Sequence, residues 1–203
     1  MRSLTKEDVI PSDEYERVRD SFRQRIIELK RRRRISIGDT ITLVFENRDT
    51  MKFQVQEMLR AEHIVDPVKV QEELDVYNAL IPQDGELSAT LFIEITDGDR
   101  IQKDLDALHG IDRGQVLALK AGRHTVYGEF EGGRSKEDKI SAVHFVTFRP
   151  SSEWTHELTR GESPLSVAIE HPNYRQEANV PSELRMEWLS DLQRAGSAPR
   201  AGG

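Results

Sequence analysis

The sequence predicts an α+β fold in which a long N-terminal helix and a helical pair pack on a mostly antiparallel sheet. Two observations carry that prediction. The first half is mainly of helical periodicity, whereas the second half has short alternating segments joined by Gly-rich or charged turns, which is typical of antiparallel strands. With 203 residues the chain can bury one core, so we predict a single domain over residues 1–193 and a disordered, Gly-rich tail over 194–203.

A long helix is predicted to start at Ser12 or Asp13, either of which can be its N-cap, and to reach about Arg34. Its buried stripe consists of apolar side chains at helical spacing: Tyr15, Val18, Phe22, Ile26 and Leu29. The helix ends in the cationic run Lys30–Arg34. One interpretation is a solvated helix C-terminus, where cations suit the helix dipole and some of the arginines turn back onto acidic residues. Phosphate or nucleic-acid contact is the other interpretation, but the net charge of −7 makes nucleic-acid binding the weaker one.

A strand, a polar turn and a helix are predicted to form the centre of the fold. Ile41–Glu46 alternates as a strand does, after a Gly-containing turn over Ile35–Asp39, and Thr50 can cap the helix that follows. Glu62 lies in the middle of the apolar stripe of that helix, which consists of Met51, Val55, Met58 and Leu59. A carboxylate there must have a partner or lie at the rim. The side chains expected to face solvent are Lys52, Gln56 and His63.

The later elements are predicted from capping residues and from alternation. The first of them are a helix from Pro67, capped by Asp66, to about Leu80, a strand over Glu86–Thr96 and a short helix, capped by Asp97 or Asp99, through Leu108. Strands are then predicted over Val116–Leu119, Thr125–Phe130, Ile140–Phe148 and Leu165–Glu170, and helices over Trp154–Leu158 and Glu183–Leu192. A turn is predicted at His171–Tyr174.

Several classes of protein are disfavoured by what the sequence lacks. The chain contains no cysteine, which excludes disulfides, thiolate metal sites and cysteine nucleophiles within it. It has no Gly-x-Ser-x-Gly, P-loop or Gly-x-Gly-x-x-Gly motif, and this argues against the common hydrolase, nucleotidase and dehydrogenase designs. No apolar run approaches the length of a membrane span, and Met1–Lys6 does not lead into a signal-peptide core. We therefore expect a cytoplasmic, acidic protein that does not bind membranes.

A set of polar residues on and around the central helix is the candidate site. Its members are Glu46, Arg48, Thr50, Gln54, Glu57, Arg60, Glu62, Glu73, Tyr77 and Glu94. Converging carboxylates with few histidines would suit a divalent cation such as Mg²⁺, Mn²⁺ or Ca²⁺, and carboxylates with Arg and Gln could instead grip a small polar ligand. The third alternative is a buried ion network that fixes helix packing without chemistry. That network would pair Arg19, Arg23 and Arg48 with Glu62, Glu73 and Glu94.

The same residues carry a family resemblance. The string Phe45–Thr50, followed by Gln54, Gln56–Met58, Arg60 and Glu62, resembles the hallmark of an uncharacterised bacterial family, domain of unknown function number three-five-zero-one. The match is dense from about Leu4 to Gly110. Genes of this family commonly lie near those for rubrerythrin-like proteins and iron–sulfur oxidoreductases, so the resemblance implies a role in redox or peroxide defence. It carries over no catalytic residue and no cofactor.

These observations lead to two hypotheses about function. The first is an accessory cytoplasmic protein of a rubrerythrin-type redox or oxidative-stress system, which acts by binding a redox protein. The alternative is a carboxylate-rich metal- or small-ligand-binding enzyme of unknown reaction, with Glu46, Glu57, Glu62 and Glu94 at its centre. The sequence supports no cofactor within the chain other than such a divalent metal, and it leaves open whether the protein is an enzyme.

Overall fold

An eight-stranded sheet is the frame of the protein in the computed structural model, which describes residues 1–95, 98–132 and 140–196. The strands are β1 (Arg34–Ile37), β2 (Ile41–Glu46), β3 (Leu87–Ile93), β4 (Leu117–Ala121), β5 (His124–Phe130), β6 (Val143–Phe148), β7 (Leu165–His171) and β8 (Tyr174–Asn179). Their order across the sheet is β1-β2-β3-β6-β5-β4-β7-β8, and all neighbours are antiparallel.

The described residues also form six α-helices, and the predicted α+β class is confirmed. They are α1 (Ser12–Arg32), α2 (Arg48–Ala61), α3 (Pro67–Asn78), α4 (Ile101–Ala107), α5 (Ser152–Arg160) and α6 (Ser182–Gly196). The predicted cap at Asp97 lies outside the described residues. Because α6 continues to Gly196, the first residues of the segment predicted as a tail are helical, and residues 197–203 of that segment lie outside the described residues.

One face of the sheet encloses the main hydrophobic core. Alternate residues of β2 supply Leu43 and Phe45 to it, and α5 and α6 add Trp154 and Trp188, all of them buried. The indole N–H of Trp154 donates to the carbonyl of Leu119 at 3.1 Å, so this large side chain is held by a hydrogen bond as well as by packing.

The other face of β2 lies under a layer of helices. Met51 and Val55 of α2 pack with Leu74 of α3 and with the half-buried ring of Phe145 on β6. Helix α1 packs on α2 through Phe22, whose ring meets Phe53 edge to face with centroids 5.7 Å apart. Because β2 is covered on both faces, all six of its residues are buried, including Glu46.

The two edge strands of the sheet, β1 and β8, approach each other. The hydroxyl of Tyr174 on β8 donates to the carbonyl of Ile37 on β1 at 2.6 Å, and it accepts from the N–H of Thr40 at 3.4 Å. Gly38 turns the chain there with φ of +65°. The sheet therefore curls until a side chain bridges its two edge strands.

Some sequence predictions are wrong in detail. Residues 35–37 belong to strand β1 and not to a turn, and β8 was not predicted because it exposes most of its residues and lacks apolar alternation. Val18 is exposed, although it was assigned to the buried stripe of α1. Helix α1 begins at Ser12 without a side-chain cap and ends at Arg32, before β1.

Candidate functional site

Asn47 and Thr50 build the start of α2. The side-chain oxygen of Asn47 accepts from the N–H groups of Asp49 and Thr50, each at 3.0 Å, while the Thr50 hydroxyl accepts from the N–H of Asn47 at 2.9 Å. This is a reciprocal capping arrangement. The predicted cap at Thr50 is thus corrected: the cap is Asn47, and Thr50 closes the box from the third helical position. Both side chains are buried, and both are hydrogen-bonded to backbone N–H groups.

Glu57 joins α2 to α1. Its two carboxylate oxygens accept from Arg19 at 2.8 and 2.7 Å, and one of them also accepts from the hydroxyl of Tyr15 at 2.8 Å. The hydrogen bonds from Arg19 outweigh desolvation and lower the pKa of Glu57, whereas burial and the bond to this carboxylate raise the pKa of Tyr15. A bidentate guanidinium–carboxylate pair of this kind fixes the spacing of two helices.

Gln56 is a residue whose role sequence reasoning missed. It was expected to face solvent, but it is buried. Its amide donates to the carbonyl of Ile10 at 2.9 Å, and its side-chain oxygen accepts from the N–H of Ile10 at 2.8 Å. The segment before α1 is therefore attached to α2 by a paired amide contact, which no helical periodicity could indicate.

Arg48 anchors the N-terminal segment to the first turn of α2. Its guanidinium lies 2.5 Å from the carboxylate of Asp8 and donates to the carbonyl of Arg2 at 3.0 Å. Burial acts to raise the pKa of Asp8, but hydrogen bonds from Arg48 and from the N–H of Thr5 outweigh it and lower that pKa to about 2.

The low pKa of Asp8 leads to an expected pH dependence. A folded-state pKa of about 2, below the ordinary value of 3.8, stabilises the native state above about pH 4, and that stabilisation is lost as the pH falls through about 2. We expect Asp8→Asn to remove about 1 to 2 kcal/mol of stability at pH 6. The variant should also lose less stability than the wild type between pH 4 and pH 2.5. Urea unfolding at a series of pH values measures both effects.

Asp20, an exposed carboxylate on α1, provides the control for this experiment. Asp20→Asn should keep the stability and the pH slope of the wild type within about 0.5 kcal/mol. If Asp8→Asn and Asp20→Asn had the same slope, the contact between Asp8 and Arg48 would not be the cause of the pH dependence.

Glu46 is the most deeply buried of the charged residues in the predicted site, with 1% of its surface exposed. One carboxylate oxygen accepts from the hydroxyl of Thr90 at 2.7 Å and lies 3.9 Å from the ammonium of Lys30. The other oxygen has no hydrogen-bond partner among the described residues. A buried carboxylate that is only partly satisfied is costly, and such a group is a candidate for a role beyond packing.

Three other members of the predicted set lie at the C-terminal end of α2 or just after β3. Arg60 donates to Glu16 at 2.6 Å, and Glu94 accepts from Arg34 at 2.8 and 3.0 Å. Glu62 is exposed at the C-cap of α2, so it lies at the rim of the apolar stripe as one of the two predicted alternatives required.

The last three members are half-buried side chains of the helical layer: Gln54, Glu73 and Tyr77. Burial, and to a smaller extent the charge of Glu73, raises the pKa of Tyr77. The ion-network alternative is wrong in its pairing, because Arg19 and Arg48 are paired with Glu57 and Asp8, and Glu94 is paired with Arg34.

The predicted site residues therefore occupy several separate contacts and do not converge. Among residues 1–95, 98–132 and 140–196, no three His, Asp or Glu side chains come together in a way that could hold a metal ion. None of the helices in the described part of the chain has the length and apolarity needed to cross a bilayer. What these contacts accomplish chemically is the attachment of α1, α2 and the N-terminal segment to one another.

The cationic run at the end of α1 has acidic partners far along the chain. Arg31 reaches Glu28 and Glu183, at 2.9 and 3.4 Å, and Arg32 donates to Glu187 on α6 at 3.0 Å. Arg33 is fully buried and binds the carboxylate of Asp191 on the same helix. The prediction that some of these arginines turn back onto acidic residues is confirmed, and α6 supplies most of the partners. The prediction that the run is solvated is wrong for Arg33, which is buried where α1, β2 and α6 meet.

Helix α3 presents an exposed face that was not singled out from the sequence. Val68 and Val76 are 66% and 59% exposed on it, and Val65 in the preceding loop is 78% exposed. Glu72 and Asp75 lie between the two helical valines and are also exposed. At 3.6 residues per turn, Val68, Glu72, Asp75 and Val76 fall within about 100° of arc. We call this set of four residues the α3 face.

The comparisons with known proteins concern family and fold. A family model described as a protein of unknown function, DUF3501, matches residues 3–192. The crystal structure of a novel protein of unknown function from Burkholderia pseudomallei is similar, with 32% sequence identity and a TM-score of 0.86 over 94% of this chain and 100% of that chain. A comparison with curated proteins finds no match.

Proposed function

This chain belongs to the DUF3501 family, and from that premise we propose that it is an accessory cytoplasmic protein of a rubrerythrin-type redox system that binds a partner protein through the α3 face. The observation that carries the proposal is the exposure of Val68 and Val76 on one face of a short helix. The class of partner, a redox protein, rests on the gene neighbourhood that the family resemblance implies.

The composition of the α3 face defines the chemistry of the partner. Two large aliphatic side chains flank two carboxylates, and the only cation of α3, Lys69, lies at the border of the face. Exposed apolar groups that lie together and are rimmed by charged residues are a feature of protein-interaction surfaces. A protein that presents basic side chains around an apolar contact would complement this face, and the net charge of −7 would accelerate its approach.

The packing of α3 makes the face suitable for recognition. Leu74 is fully buried against α2, and the side chain of Asp66 caps the helix by accepting from the N–H groups of Val68 and Lys69 at 2.8 and 3.2 Å. The helix is therefore held in place before any partner arrives, which reduces the entropy lost on binding. On the neighbouring helix α2, Glu57 is a polar group that could have bound a ligand, but its carboxylate already accepts hydrogen bonds from Arg19 and Tyr15.

The test measures binding of a purified rubrerythrin-type protein from the same genome by titration calorimetry. Val76→Lys, which places a cation in the α3 face, should weaken binding by about tenfold or more. Met186→Lys on α6 is the matched control, because Met186 is 63% exposed and the charge change is identical. The control should bind within twofold of the wild type, and raising the salt concentration should weaken the wild-type complex.

Two outcomes would overturn different parts of the proposal. Absence of wild-type binding to the rubrerythrin-type protein would remove the redox assignment. Equal losses in Val76→Lys and Met186→Lys would instead show that binding occurs but does not use the α3 face. Because both residues are exposed, neither substitution is expected to unfold the protein, and a difference in binding therefore reflects the surface that was changed.

A further inference from the structure

A groove runs between α1 and the face of β2 and β3 that carries Glu46. Its volume is about 430 Å³, within the range of small-ligand sites. Val44 and Phe92, one from each strand, form an apolar floor, and Ile27 on α1 is the apolar part of one wall. The α3 face contributes no residue to this groove, so the two surfaces are separate.

The charged residues that line the groove are mostly basic. They are Lys30 and Arg31 on α1, Arg34 on β1, and Glu94 just after β3. The carboxylate of Glu94 is neutralised by Arg34, which uses only its Nη2 atom for both hydrogen bonds. Arg31 is also paired, with Glu28 and Glu183, so the charges of the lining are largely balanced and the groove is characterised by its free donors. A cationic donor that is not already hydrogen-bonded is best matched by an anionic acceptor.

Lys30 is the cation with unused hydrogen-bonding capacity. Its ammonium is half-buried and lies 3.9 Å from Glu46, beyond hydrogen-bonding distance, and it makes no hydrogen bond to any residue that the structure describes. Glu46 is almost completely buried and cannot leave, so it provides a fixed negative charge beside the ammonium without occupying its donors. All three N–H groups of Lys30 are thus available to a ligand.

We propose that this groove binds a small organic anion with an apolar body, such as an aliphatic or aromatic carboxylate. Lys30 donates to the acid group of the ligand, and the unused donors of Arg34 reach it from the opposite wall. The body of the ligand lies on Val44 and Phe92, where burial of apolar surface adds to affinity. A charged hydrogen bond at the edge of an apolar floor is the usual way in which such ligands are oriented.

The test uses octanoate as the probe, with octylammonium as a probe of equal chain length and opposite charge. Binding of each to the full chain is followed by titration calorimetry and by chemical-shift changes in the groove residues. We expect octanoate to bind at least about tenfold more tightly than octylammonium. Lys30→Gln should weaken the binding of octanoate by about tenfold and change the binding of octylammonium little. Phe92→Ala should also weaken the binding of octanoate, because it removes part of the apolar floor.

Lys52→Gln is the matched control, because Lys52 is also half-buried and lines a different groove, beside Phe22. It should leave octanoate affinity within twofold of the wild type. Circular dichroism checks the fold of each variant, and Arg34→Gln replaces Lys30→Gln if the latter fails to fold. Equal affinity for the two probes, or equal losses in the Lys30 and Lys52 variants, would overturn the assignment.

Discussion

Replacing Arg33 with alanine is expected to destabilise the protein by about 3 to 5 kcal/mol, the usual loss when one partner of a buried ion pair is removed. Arg33 is fully buried, and its guanidinium donates to the backbone carbonyls of Phe45 and Glu46 at 2.6 and 3.2 Å. It also binds Glu187 at 2.9 Å and the buried carboxylate of Asp191. The variant would remove a cation from four acceptors at once, two of them charged.

Arg31→Ala is the control, since the side chain of Arg31 is 58% exposed although it also pairs with glutamates. Exposed pairs contribute little, so this variant should lose no more than about 1 kcal/mol. Arg33→Lys should not rescue the loss, because one ammonium cannot reproduce the planar set of donors. Urea unfolding measures the differences in the free energy of unfolding, provided that its dependence on urea concentration is equal for all variants. Similar losses of stability for Arg31→Ala and Arg33→Ala would show that the burial of Arg33 is not important.

This contact explains why the cationic run is concentrated where α1 ends. Arg32 and Arg33 both bind Glu187 on α6, and Arg33 also binds the strand β2 that lies beside β1. The first helix, the sheet and the last helix are therefore joined at one point. Arg32 and Arg33 of the cationic run therefore attach α1 and β2 to α6.

The sequence could predict the presence of that attachment but not its partners. Charge balance and the helix dipole indicate that arginines at the end of α1 meet carboxylates. Asp191, however, is 158 positions away from Arg33, and neither spacing nor periodicity connects residues at such a distance. Strand β1 was mistaken for a turn for a related reason, because four residues are too few to establish alternation and its place in the sheet depends on pairing with β2.

The candidate site was predictable in its residue types and not in its geometry. The polar turn before α2 contains Asn47 and Thr50, both of which occur at helix starts, and their reciprocal bonds follow from local spacing. The partners of Glu57 depend on how α1 crosses α2, which the sequence does not encode locally. Glu46 was placed on the correct strand, but its burial follows from helices on both sides of the sheet.

The two surfaces proposed to bind partners became visible only from what the core leaves uncovered. Leu74 is fully buried, which fixes the side of α3 that faces the core. Once that side is fixed, Val68 and Val76 have no place in the core, and their exposure becomes informative. The same reasoning applies to Lys30, whose open donors can be recognised only after its neighbours are known.

Closure of the sheet at Gly38 gives the second large expected effect: Gly38→Ala should destabilise the protein by about 2 to 4 kcal/mol. The φ of +65° at Gly38 is unfavourable for any residue with a Cβ. A Cβ at this position would also collide with the hydroxyl of Tyr174 and approach Cγ of Gln176 to 2.9 Å. That hydroxyl cannot move away without losing its bond to Ile37, so the substitution disturbs the bridge between β1 and β8.

Two companion variants separate backbone strain from close contact. Gly85 has a comparable φ of +80° but an open environment. Gly85→Ala should therefore lower the stability by about 1 to 2 kcal/mol, through backbone strain alone. Tyr174→Phe alone should lower the stability by about 1 kcal/mol, because it removes the hydrogen bonds of the hydroxyl. In the double variant Gly38→Ala/Tyr174→Phe the colliding oxygen is gone, so the loss should be smaller than the sum of the single losses. Strict additivity in thermal or urea unfolding would show that the new Cβ does not collide with the Tyr174 hydroxyl and that Gly38 acts through backbone strain alone.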